Sequence, residues 1–167
     1  MIQCISTTIR EITKRSFMKI QNPKIVTKPW GSELWIADGI RTPYALKRIV
    51  FKEGFRSSLQ VHQYKFETNY VLSGTGILQI RDEHFNCEEY LNSSKQSLIL
   101  YEALRTLKDI QIKPGDVIDV QPGQIHRVIA VTDLVFIEAS TKELDDVIRL
   151  ADDASRGHGK IETEHAN

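Results

Sequence analysis

The 167-residue sequence is short of cysteine, of net charge and of long apolar runs. Its two cysteines, Cys4 and Cys87, lie far apart and outside any Cys-x-x-Cys spacing. That excludes a thiolate zinc cluster or a disulfide framework as the organising element, and both are read as free thiols of a reducing compartment. Lysine plus arginine and aspartate plus glutamate number 22 each, for a formal net charge of +0, so the basic surface that nucleic acid demands is missing. No stretch is apolar for long enough to span a bilayer, and MIQCISTTIREITKRSFMKIQ lacks the continuous apolar core of a signal peptide. The expectation is a cytoplasmic protein with a small-molecule partner, without nucleic acid or membrane. With 41% apolar and 26% charged residues the chain is not of disordered composition.

The length suits one domain with a core of its own. Residues 1–24 carry Arg10, Lys14, Arg15 and Lys19 and read as a solvated N-terminal arm, 25–156 as the domain and 157–167 as a polar tail. From Ile25 onward short apolar runs alternate with Gly and Pro, the pattern of an all-β sandwich or barrel. Strands are expected over residues 44–51, 58–62, 68–72, 76–81, 109–113, 116–120, 126–131 and 135–139. The polar stretch 86–96 interrupts them. In 97–107 the spacing of Leu98, Tyr101, Leu104 and Leu107 is helical, while SLILY by itself would equally suit a buried strand. In STKELDDVIRLADD, Ser140 and Glu143 form a capping box ahead of Leu144, Val147 and Ile148, which predicts a short C-terminal helix. Because Val147 to Leu150 is short and partly β-branched, an extended clamp across the barrel fits as well.

Chemistry concentrates in two stretches. In SLQVHQYKFET, Gln60 and His62 are two apart and share a strand face. Tyr64 keeps that parity if the strand continues, whereas Glu67 joins them only through a bulge or turn after Lys65. In KPGDVIDVQPGQIHRV, Pro-Gly and Pro-x-Gly turns frame a strand, and His126 opens the next with Val128 and Ala130 on its face. Two imidazoles, a carboxylate and the Gln60 amide oxygen make a mixed N/O shell suited to a divalent ion, with a position left open. His84, His158 and His165 lack such framing and read as surface residues.

GFRSSLQVHQYKFETNYVLSGTG followed by PGDVIDVQPGQIHRV resembles the two cupin motifs. Gly54, His62, Glu67 and Gly74 match the first motif and Gly115, Pro122, Gly123 and His126 the second, with Tyr64 standing where the pattern His-x-His has its second histidine. Within cupins the chain looks like the mannose-6-phosphate isomerase group, over residues 28–156, through KPWGSE, the Ser-Leu-Gln before the first histidine, ETNYVLSGTG and ELDDVIRLADDASR. The resemblance implies a double-stranded β-helix and an ion held by Gln60, His62, Glu67 and His126. Zinc is expected first, with manganese, cobalt or iron as substitutes. It implies an isomerase that interconverts mannose 6-phosphate and fructose 6-phosphate through an enediolate, in polysaccharide biosynthesis. Lys47, Tyr64 and Glu138 are the candidates for the proton-transferring group. Arg56 and Arg156 are the candidates for the substrate phosphate, and Trp30 for the sugar face or, alternatively, a barrel plug. A non-catalytic sugar-binding cupin and another metal cupin enzyme, an epimerase or oxygenase, are the competing readings. Pairing of edge strands across a two-fold axis would make the protein a homodimer.

Overall fold

The computed structural model describes residues 22–161; the basic segment up to Lys19 and Cys4 lie outside them. Strands β1 (Lys24–Lys28), β2 (Gly31–Asp38), β3 (Ala45–Phe51), β4 (Leu59–Val61), β5 (Glu67–Ser73) and β6 (Gly76–Ile80) come first. Helices α1 (Cys87–Asn92) and α2 (Gln96–Leu104) follow, then β7 (Lys108–Ile112), β8 (Val117–Val120), β9 (His126–Ala130), β10 (Leu134–Ser140), β11 (Val147–Ala151) and β12 (Gly159–Ile161). Two six-stranded antiparallel sheets result, in the orders β1-β2-β3-β10-β5-β8 and β12-β11-β4-β9-β6-β7. Among the described residues no helix is long and apolar enough to cross a membrane.

The strict alternation in β3, with Ala45, Lys47, Ile49 and Phe51 buried, and the looser one in β10, with Leu134, Phe136, Glu138 and Ser140 buried and Val135 buried beside them, turn one face of each strand inward. Towards one end that interior is apolar, with Trp30, Ile49, Phe51, Val71, Leu78, Val128 and Phe136 in one cluster. Trp30 stacks on Phe51 at 4.3 Å between ring centroids, so it helps close that end of the barrel. Two glycines are demanded by close approach. A Cβ on Gly74, at φ +82°, would stand 2.0 Å from the Asp133 carbonyl oxygen, and one on Gly31 would stand 1.9 Å from that of Val50.

A second core lies on the outer side of the other sheet. Leu59 and Val61 of β4 and Ile148 and Leu150 of β11 pack there against Phe85, Cys87, Tyr90 and Ala103. The insertion after β6 therefore covers a sheet face. Helix α2 confirms the helical spacing but not its face. Ile99, Leu100 and Ala103 turn to the core, while Leu98 and Tyr101 remain 56% and 62% exposed. Burial raises the Cys87 thiol to about 11, which leaves it protonated and unreactive at neutral pH.

Of the two readings of the C-terminal run the extended one holds, and the helix with its cap is corrected. DDVIRLA is not a helix: Ile148 and Leu150 alternate with Arg149, and β11 pairs with β4 on one side and β12 on the other. Ser140 is the last residue of β10 and caps nothing. Within the polar tail, Gly159–Ile161 forms β12. At the other end, Lys24–Lys28 and Gly31–Asp38 form a hairpin that the strand reading did not contain.

Candidate metal centre

The centre is assembled from strands of both sheets and one turn. Gln60 on β4 pairs with His126 on β9, and its Nε2 lies 3.3 Å from His126 Nε2. His62 follows β4 directly. The chain then turns, so that Glu67 starts β5 in the opposing sheet and faces the same interior. His62 Nε2 is 3.6 Å from Glu67 Oε2 and His126 Nε2 is 3.5 Å from Glu67 Oε1. One potential ligand atom from each of these three buried residues lies within 4.8 Å of the others.

Asp146, just ahead of β11, holds the turn in shape. Its carboxylate accepts hydrogen bonds from the backbone N–H groups of Gln63 (3.1 Å), Tyr64 (2.5 Å) and Lys65 (2.8 Å). Its carbonyl oxygen accepts from His62 Nδ1, and the Gln124 carbonyl pairs with His126 Nδ1 at 3.1 Å. A carbonyl only accepts, so both Nδ1 atoms carry the ring proton and both Nε2 atoms keep a lone pair toward the centre, the arrangement of metal-ligating histidines. His62 Nε2 is fully buried and has no hydrogen-bond partner among the described residues, a costly state for a polar atom that a cation would relieve. Two imidazoles and a carboxylate therefore fit a borderline divalent ion, and Gln60, whose Oε1 accepts from Ser58 at 3.0 Å while its Nε2 meets His126, joins them only with its amide turned over.

Buried charges extend inward from the ligand set. Lys65 Nζ donates to Glu67 Oε2 at 2.5 Å and to Glu138 Oε1 at 3.0 Å. Lys47 lies 3.7 Å from Glu138 and 3.5 Å from Glu33, and Lys28 lies 3.9 Å from Glu33. Trp35 Nε1 donates to Glu33 at 2.8 Å, and Lys47 Nζ sits 4.8 Å from the Trp35 ring centroid. The KPWGSE motif thus supplies a buried Lys28–Glu33 pair as well as the Trp30 plug.

The charges set the protonation states. Burial, helped by Lys65, pushes His62 down to about 4, so its ring is neutral at pH 7. Burial alone would raise Glu67, but Lys65 outweighs it together with the two histidines and holds that carboxyl well below the usual range. Burial opposes ionisation of Glu138 too, and Lys47 and Lys65 override it. Burial likewise disfavours the Lys65 ammonium, yet Glu138 and Glu67 together raise its pKa.

A pH dependence follows from His62. Its ordinary pKa of 6.5 falls to about 4 on folding, so the unfolded chain takes up the proton first as pH drops. The metal-free protein is expected to keep this contribution above pH 6.5 and to lose about 3 kcal/mol of it between pH 6.5 and 4. Urea unfolding at pH 7 and pH 4.5 measures it, and equal stabilities at the two values would refute the burial argument.

Of the sequence candidates, Gln60, His62, Glu67, His126, Lys47, Glu138, Trp30 and Arg156 line one pocket. Arg156 is anchored there by Asp152, with Nε 2.6 Å from Oδ2. Tyr64 is not among them. Asp146 captures the backbone just there, and the phenol is 65% exposed. The histidine pair of the motif therefore reads Gln60-x-His62, and not His62-x-Tyr64. Arg56 is also outside, 3.2 Å from Asp153, which Arg127 approaches at 3.4 Å. The roles of Lys65, Asp146 and Glu33 around the centre escaped the sequence reading, although KPWGSE had marked Glu33. Their spacing to Glu67 or His62 carried no usual ligand pattern, although a lysine between two motif residues was a signal.

Paired antiparallel sheets enclosing a His/Glu/His centre define a cupin. The chain belongs to the mannose-6-phosphate isomerase C-terminal family, whose model matches residues 15–138. It is 28% identical over 122 residues to the alginate biosynthesis protein AlgA of Pseudomonas aeruginosa, covering 73% of this chain and 24% of that protein. To a mannose-1-phosphate guanylyltransferase of Salmonella muenchen it is 28% identical over 120 residues, 72% of this chain and 24% of the other. The chain thus spans about a quarter of the length of these curated relatives. Solved structures share the fold. The capsular polysaccharide assembling protein CapF of Staphylococcus aureus superposes with a TM-score of 0.55 at 18% identity, over 78% of this chain and 34% of that one. Oxalate decarboxylase of Bacillus subtilis, described with Mn(II) centres, gives 0.54 at 18%, over 78% and 30%.

Proposed function

We propose that the protein is a metal-dependent isomerase of a phosphorylated hexose, interconverting mannose 6-phosphate and fructose 6-phosphate. The observation that carries this reading is one buried pocket in which the His62, Glu67 and His126 ligand atoms stand beside an ionised carboxylate, Glu138, that no ion needs. The family match and the mannose-phosphate relative agree with it.

Gln60, His62, Glu67 and His126 would hold the ion, zinc by the N/O character of the set. When bound, it supplies Lewis-acid stabilisation of the oxyanion that develops on the sugar. The proton that moves between C1 and C2 needs an acceptor, and Glu138 is ionised and turned into the pocket. Lys47, 3.7 Å away, keeps Glu138 ionised and adds positive charge near the developing oxyanion. Arg156, oriented by Asp152, is the guanidinium offered to the phosphate.

The test is conversion of mannose 6-phosphate by protein loaded with zinc, manganese or cobalt. Turnover is expected with at least one ion, and Glu138→Gln is expected to lower kcat by about 10²–10⁴ while metal content stays unchanged. A folded, metal-loaded protein without turnover refutes the isomerase reading.

A further inference from the structure

We infer that Lys65 is the resident cation of the metal pocket: it neutralises Glu67 while no ion is present, yields that carboxylate to an entering ion, and then serves the anionic group of the ligand. The inference rests on the metal-site reading above. Three cations, Lys47, Lys65 and Arg156, and three carboxylates, Glu33, Glu67 and Glu138, line the pocket. The pocket is therefore charge-balanced before any ion enters.

The balance is local as well as total. Lys65 Nζ is 2.5 Å from Glu67 Oε2, the oxygen that faces His62 Nε2 at 3.6 Å. Lys65 is 5% exposed and Glu67 6%, so water screens neither charge well. An ammonium and a divalent ion compete for one carboxylate, and each weakens the other's hold on it. Glu138, 3.0 Å from Nζ, gives the ammonium a second partner to keep. With Glu67 committed to the ion, the pocket gains a positive surplus equal to the ion's charge, which a dianion such as a phosphate monoester would cancel. Metal and anion should thus bind cooperatively, and Lys65 should oppose the first while assisting the second.

The test compares zinc binding by calorimetry in the wild type, Lys65→Met and Lys65→Gln, with folding checked by circular dichroism. Sulfate, a dianion at neutral pH, is then titrated with and without zinc. Both variants are expected to bind zinc at least tenfold tighter than the wild type. Zinc is expected to raise the wild type's sulfate affinity at least tenfold, and the variants should lose most of that gain. Zinc binding by the variants alone would also support the proposal, as a site closed by its own lysine. Wild-type zinc binding with equal or weaker binding in the variants overturns the Lys65 role and leaves the metal site standing. Absence of zinc binding in all three proteins overturns both. If neither variant folds, the wild type still decides, because equal sulfate affinity with and without zinc overturns the coupling.

Discussion

His62→Ala is expected to abolish specific metal binding and the metal-dependent part of thermal stability. The imidazole is completely buried, and the Asp146 carbonyl fixes its tautomer so that Nε2 faces the centre without a hydrogen-bond partner among the described residues. Because its pKa lies near 4, no proton has to leave His62 when an ion binds at pH 7. Loss of a group that only hydrogen-bonds and orients a ligand typically weakens a metal site about 10–100-fold, and loss of a ligand should exceed that. With ion at about a hundredfold excess over Kd, the wild type should gain about 2.7 kcal/mol. For a chain of this size that raises Tm by roughly 5–10 °C. Differential scanning calorimetry with and without zinc should show the rise in the wild type and none in the variant. A variant that keeps both its zinc content and the rise would remove His62 from the ligand set.

Asp146→Ala is the second large effect, and it acts through the backbone. Three successive N–H groups on the turn from β4 to β5 donate to this one carboxylate, and that turn carries Lys65 and leads into Glu67. Hydrogen bonds to charged acceptors contribute more than neutral ones, and the half-buried setting moderates them. The loss is expected to be about 3 kcal/mol in urea unfolding, with metal affinity falling about 10–100-fold because the ligands on either side of the turn lose their spacing. Asp146→Asn, which keeps one accepting oxygen, should fall between. The carbonyl that orients His62 survives both substitutions, so their effect reports the turn and not the imidazole. Stability within about 0.5 kcal/mol of the wild type would show that the turn holds without its clamp.

Legibility differed from residue to residue. Gln60 and His62 were readable because a spacing of two places side chains on one strand face whatever the strand later pairs with. His126 was readable because Pro-Gly turns framed its strand. Trp30 and the Gly31 beside it belong to a local motif as well. Arg56 and Tyr64 were misplaced because their strand parity or motif position was extrapolated through segments where the backbone turns. In 143–151, capping residues described a helix while the short, partly β-branched run suited an extended segment, and the outer core takes Ile148 and Leu150 from an extended chain. Local preference lost there to the unpaired backbone of β4, which needed a neighbour.

The sequence by itself determined the all-β class, the two motif-bearing stretches and three of the side chains that converge, since periodicity and turn chemistry act over a few residues. Only the tertiary structure decided that Glu138 meets Lys47 and Lys65, that Glu67 lies opposite two histidines, and that Asp146 clasps the turn between them. The partner of a buried charge is set by which strands become neighbours. Lys47 and Glu138 stand across from each other on paired strands, β3 and β10, yet they are 91 residues apart in the chain, a distance over which no local pattern carries information.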